Sequence, residues 1–128
     1  MAGPGNDEFA ALLGIDVQRR APGHTVATLT TGGQHANPHS TVHGAVFYAV
    51  AGSAVAAAAN DEEHSGIISS VLVEYLAPAA IGDTLFAEVT RSVSTGREDI
   101  FTGTISRGEG GDLLAWVRAR GTRRSRIP

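Results

Sequence analysis

Residues 43–60 place eight alanines in eighteen positions and carry no Asp, Glu, Lys or Arg. Alanine is the strongest helix former, because ordering it costs no side-chain entropy. The stretch therefore predicts one helix, about 27 Å long at 1.5 Å per residue. Apolar on every side, such a helix has to be covered on most of them. A chain of 128 residues with 42% hydrophobic content can supply one core to do so. The apolar run is too short for a membrane span.

The cover comes from segments rich in β-branched residues. Residues 7–13 form a short helix candidate, with Asn6 or Asp7 as its cap and Phe9, Leu12 and Leu13 on one face; Gly14 ends it. Residues 15–20 and 25–31 read as two strands joined through Ala21-Pro22-Gly23. A polar loop over residues 32–42 leads into the long helix. After the acidic cluster Asp61-Glu62-Glu63 come four strand candidates, at 67–76, 84–94, 99–106 and 113–122. Turn residues separate them, so consecutive strands pair antiparallel. One apolar helix against such a sheet is an α+β layer arrangement. The expected organisation is a flexible lead at 1–8, one domain at 9–124 and a tail at 125–128.

A net charge of −3 gives no basic surface for nucleic acid. Without cysteine there is neither disulfide nor thiolate chemistry. The first nine residues lack the basic start and apolar run of a signal peptide, so the expectation is a soluble, cytoplasmic protein. His35 and His39 stand four apart around Pro38 with no carboxylate pattern, which predicts no metal site. His24 and His64 read as surface residues.

Chemistry concentrates where the polar loop meets the helix, at Asn37, His43, Gly44 and Ala45. The first N–H groups of a helix lack intrahelical partners and sit at the positive end of its dipole. Gly44 allows another group to approach that backbone closely. Such a place can hold a carbonyl oxygen that becomes negative during acyl transfer.

This segment resembles the hotdog thioesterases of the phenylacetate-degradation (PaaI) type, whose motif runs Asn, five residues, then His-Gly-Gly. Asn37 and His43 keep the spacing, and His43-Gly44-Ala45 stands in the place of His-Gly-Gly. Tyr75-Leu-Ala-Pro78, followed by Ile81-Gly82-Asp83, resembles the strand and turn further along. The likeness covers residues 9–122 and implies a hotdog fold, an antiparallel sheet wrapped around one long central helix. It also implies hydrolysis of an acyl-CoA or related thioester, without cofactor, in a homodimer or a tetramer of two dimers. By resemblance, the N–H near Ala45 polarises the carbonyl, His43 and Asn37 orient substrate or water, and Ser69 or Ser70 assists.

One position departs from the pattern. The family places its acid nine residues after the His, where this chain has Gly52. In the family each acid serves the neighbouring subunit's site. Gly52 has other readings, as a close helix crossing or as room for an acyl group or water. A carboxylate among Asp61, Glu62 and Glu63, or Glu74, is a candidate replacement. The five arginines between Arg118 and Arg126 are candidates for coenzyme A phosphates or for a solvated last strand. Two alternatives to hydrolysis follow: a catalytically impaired domain that binds an acyl-CoA or aromatic ligand, and a hydratase or dehydratase of acyl thioesters.

Overall fold

The computed structural model describes residues 7–126. Helix α1 (Glu8–Leu13) is capped by Asp7, whose carboxylate accepts the Ala10 N–H at 2.9 Å. It closes on Gly14, in the left-handed region at φ 87°. Strands β1 (Asp16–Ala21) and β2 (His24–Thr30) follow, then a short turn of 3₁₀ helix at Gly33–His35. Helix α2 (Gly44–Ala59) has His43 as its N-cap and Asn60 as its C-cap, the two ends of the alanine-rich run. Strands β3 (His64–Tyr75), β4 (Thr84–Thr95), β5 (Glu98–Arg107) and β6 (Leu113–Ser125) complete the chain. All six strands form one antiparallel sheet in the order β1-β2-β4-β5-β6-β3.

The sheet curls around α2. Alanines 51, 54 and 58 and valines 50 and 55 of the helix are fully or almost fully buried. Opposite them stand Ala27 and Leu29 of β2, Val89 of β4, Phe101 and Ile105 of β5 and Val117 of β6. Small helix residues let the backbone lie close to the sheet. In the middle of α2 the Thr25 hydroxyl donates to Ala54 O at 2.5 Å, a polar tether inside the core. This is the expected α+β hotdog arrangement, with one helix held inside one antiparallel sheet.

One side of α2 stays uncovered. Tyr48 is 48% exposed, and Ala49, Gly52 and Ala56 on the same side are only half-buried. Beside it β3 is an edge strand, paired with β6 alone. Among the described residues no helix is long and apolar enough to cross a membrane.

Some expectations need adjusting. In α1 the buried residue is Ala10, whereas Phe9 and Leu12 are 60% and 79% exposed. The helix makes little more than a single turn and a half, and it meets the core through Ala10 and the half-buried Leu13. Residues 1–6 of the expected lead, and 127–128 of the expected tail, lie outside the described residues. Asp7 and Glu8 already belong to the cap and first turn of α1, and β6 runs through Ser125.

Candidate active site

The loop before α2 is held by its own polar side chains. His35 is 2% exposed; its Nδ1 accepts the Gly32 N–H at 2.9 Å and its Nε2 donates to Leu13 O at 3.0 Å. The His35 carbonyl in turn accepts the His43 N–H at 2.8 Å. One buried imidazole thus joins the end of α1, the 3₁₀ turn and the start of α2. His39, by contrast, is exposed.

Asn37 organises the next turn. Its Oδ1 accepts N–H groups from His39 at 2.9 Å and Thr41 at 3.1 Å, while Nδ2 donates to Thr41 Oγ1 at 2.8 Å. This closed turn carries Ser40 into the left-handed region at φ 66°. Nδ2 has two hydrogens, and these bonds use one.

At the helix start, His43 Nδ1 accepts the Ala45 N–H at 2.9 Å. A neutral His43 is therefore protonated on Nε2. The oxygen of the same peptide, Gly44 O, accepts the Tyr75 hydroxyl at 2.8 Å. Tyr75 meets the Phe47 ring edge to face, with centroids 5.6 Å apart and planes at 67°. A cavity of about 370 Å³ opens here, walled by Asn37, Thr41, Gly44, Phe47, Tyr75 and the 76–78 turn. None of its lining residues is acidic.

The turn over this cavity is pinned from outside. Arg107 donates to Asp83 at 2.9 Å, Asp112 at 2.7 Å and Pro78 O at 3.2 Å. Asp83 also accepts the Ala80 N–H at 2.9 Å. That N–H and the Arg107 guanidinium hold the Asp83 carboxyl below its ordinary range, outweighing a small desolvation effect.

The structure brings Asn37, Gly44 and, at the rim, His43 and Ala45 to one place. It leaves the remaining sequence candidates elsewhere. Gly52 lies eight residues along α2, about 12 Å from Gly44. A Cβ built there meets nothing within 4 Å, so the position is open. Ser69 sits in the irregularity between Ile68 and Ser70, its hydroxyl donating to Arg120 O at 3.1 Å. Ser70 shares the exposed face of β3 with Leu72 and Glu74, away from Val71 and Val73, which pack towards α2. At about 3.3 Å per residue, both serines are some 17–20 Å down the strand from Tyr75. Ser53 is buried and bonded back to Ala49 O at 2.9 Å.

The acidic cluster lies at the other end of α2, about 24 Å from the cavity by helix rise. Asp61 there accepts N–H groups from Glu63 at 2.8 Å and His64 at 2.6 Å. Partial burial works to raise its pKa, but these bonds and the nearby His64 and Arg91 charges hold it below its ordinary value. Three of the five late arginines are engaged in the fold, Arg120 with Glu98, Arg123 with Gly96 O and Arg126 with His64 O. Arg118 and Arg124 are exposed. Sequence reasoning missed His35, a polar loop residue with no local sign of burial, and the reach of Tyr75 to Gly44 across thirty-one positions.

Comparison with known proteins bears on the family and the fold. A family model described as the thioesterase superfamily matches residues 39–104. Acyl-coenzyme A thioesterase PaaI of Escherichia coli (strain K12) is 35% identical over 82 residues, a stretch that covers 64% of this chain and 59% of that protein. The structure of E. coli PaaI superposes with a TM-score of 0.86 at 28% identity, over 93% of this chain and 86% of that one. A mutant of the phenylacetic acid degradation protein PaaI from Thermus thermophilus gives 0.84 at 27%, over 91% and 98%.

Proposed function

Because the chain belongs to the thioesterase superfamily, we propose that it hydrolyses an acyl-CoA or related acyl thioester to the free acid and the thiol. The observation that carries this reading is the cavity of about 370 Å³ at the start of α2, with Gly44 in its wall and no charge opposing a developing oxyanion. A relative named as an acyl-coenzyme A thioesterase supports the substrate class.

In this reading the thioester carbonyl displaces His43 Nδ1 as acceptor of the Ala45 N–H, at the positive end of the helix dipole. The second Nδ2 hydrogen of Asn37 is available to orient substrate or water. Water adds to the carbonyl carbon, and the oxygen takes up the negative charge. Collapse of the adduct breaks the carbon–sulfur bond, and the leaving thiolate ends with the proton given up by water. The released imidazole of His43 can accept that proton on the way. The substrate being a coenzyme A thioester, the expected place of action is the cytoplasm.

The site is completed, in this proposal, by a second copy of the chain. The uncovered side of α2 around Tyr48 and Gly52 and the open edge of β3 suit pairing between copies, two such dimers forming any tetramer. Ser69 and Ser70, remote from the cavity of their own chain, can assist only in a neighbour's.

A specific observation favours a second reading. Gly52 stands where the resembling family has its acid, and no acidic side chain lines the cavity. General-base assistance is worth about 10²–10⁴ in rate, so a domain without it could retain binding alone. The test is thiol release from short, medium and aryl acyl-CoAs by wild type and Gly52→Asp. Wild-type turnover that collapses in Asn37→Ala and His43→Ala sustains the thioesterase. Turnover in Gly52→Asp alone, with stoichiometric acyl-CoA binding by wild type, makes it a binding module. Wild-type turnover indifferent to both residues overturns the site.

A further inference from the structure

The Gly44–Ala45 peptide is held at both of its polar atoms. Tyr75 Oη donates to its oxygen at 2.8 Å, and His43 Nδ1 accepts from its nitrogen at 2.9 Å. Tyr75 belongs to an edge strand and not to the helix, yet its ring is fixed. It meets Phe47 edge to face at 5.6 Å, and it fills the space over Gly44, where a Cβ would stand 3.2 Å from the hydroxyl oxygen. A hydrogen bond to an amide oxygen draws electron density towards it and makes the N–H of that amide a stronger donor. Chains of such bonds strengthen one another.

We propose that the Tyr75 hydroxyl is a positioning residue: it fixes and polarises the Gly44–Ala45 peptide, the amide this site offers to a substrate carbonyl. The proposal rests on the thioesterase reading for its catalytic consequence, but not for its structural one. Two consequences follow from the geometry. The peptide plane does not rotate when His43 leaves the Ala45 N–H, because the helix and Tyr75 both hold its oxygen end. The donor is therefore already aimed when the carbonyl arrives, which is the condition under which an oxyanion contact lowers the barrier without reorganisation. The hydroxyl acts through the peptide, so its contribution falls on the reacting state more than on substrate binding, while the ring remains a wall of the cavity.

The test is Tyr75→Phe, which removes one oxygen and leaves the ring against Phe47. Two quantities are measured on the whole protein: the chemical shift and hydrogen exchange of the Ala45 amide by NMR, and kcat and KM for thiol release from acyl-CoAs. The expected result is an upfield Ala45 proton with faster exchange, and kcat lowered roughly three- to tenfold, the size of one hydrogen bond, with KM within about twofold. An unchanged Ala45 amide overturns the proposal outright. A changed amide with unchanged kcat overturns its catalytic half, and a rise in KM alone leaves the hydroxyl no role beyond lining the pocket. If wild type releases no thiol from any substrate, the thioesterase reading fails, and the amide signal alone decides whether Tyr75 holds the peptide.

Discussion

The Tyr75 ring occupies the place of a Gly44 side chain: a Cβ there would stand 3.2 Å from Oη and 3.3 Å from Cζ. Gly44→Ala therefore makes the ring give by a few tenths of an ångström. The expected cost is about 1 kcal/mol of stability or less, the low end for overpacking, because the half-exposed ring can yield. Denaturant unfolding measures it. In Gly44→Ala combined with Tyr75→Ala the steric part of that cost should vanish, and simple addition of the two single effects would refute the contact.

Gly52 behaves in the opposite way. It is helical, without a strained φ, and a Cβ there meets nothing within 4 Å. Gly52→Ala should stabilise the protomer by about 0.5–1 kcal/mol through lower backbone entropy in the unfolded chain. A thermal or urea midpoint that falls instead would show that a neighbouring copy already packs against this position.

His35 is the least replaceable side chain of the loop. Its ring satisfies a backbone donor and a backbone acceptor, at Gly32 and Leu13, in a nearly closed environment. His35→Ala leaves both unpaired and opens a void, for an expected loss of about 2–4 kcal/mol. Because the same residue holds the entry to α2, the Ala45 amide should also exchange faster. A variant as stable as wild type would show that the loop has another anchor.

Acid should loosen the turn over the cavity. The Asp83 pKa is depressed in the folded chain by the Ala80 N–H and Arg107. A depressed carboxyl contributes stability that is fully present above its ordinary value of 3.8 and is lost as pH falls through the lower folded value. Glu98, depressed by Thr122 and Arg120, has the same sign. Asp83→Asn should thus be less stable than wild type at pH 7, with the gap narrowing below pH 4. A gap that stays constant down to pH 2, followed by urea unfolding, would contradict the pairing. The Asp83 side chain keeps 23% of its surface in solvent, so the effect is small.

What the sequence made legible follows physical range. The ends of α2 were readable to within a residue, because a charge-free alanine run between a His and an Asn leaves little choice of register. The Asn37–His43 spacing marked the corner where the cavity opens, since loop and helix start are adjacent in the chain. Ser69 and Ser70 could not be placed, because alternation does not reveal the irregularity after Ile68 that sets which face each serine takes. Asn37 was readable as a candidate site residue, but not as the keystone of its own turn, which depends on the positive φ of Ser40. Nor does any local signal show that Phe9 and Leu12 stay outside while Ala10 goes in. That outcome is decided by where Gly14 turns the chain.

The strand order has a consequence in time. β3 leaves the helix at residue 64, yet the strand beside it is β6, which begins at residue 113. Every pairing of β3 thus closes a loop of about forty to sixty residues, and non-local pairing of this kind is slow. On the ribosome, β3 has both edges bare until the last strand is made. The chain therefore spends much of its synthesis with Ile67 and Leu72, 63% and 52% exposed even in the finished fold, on an unpartnered ribbon. Losing β6 would leave it in that condition permanently.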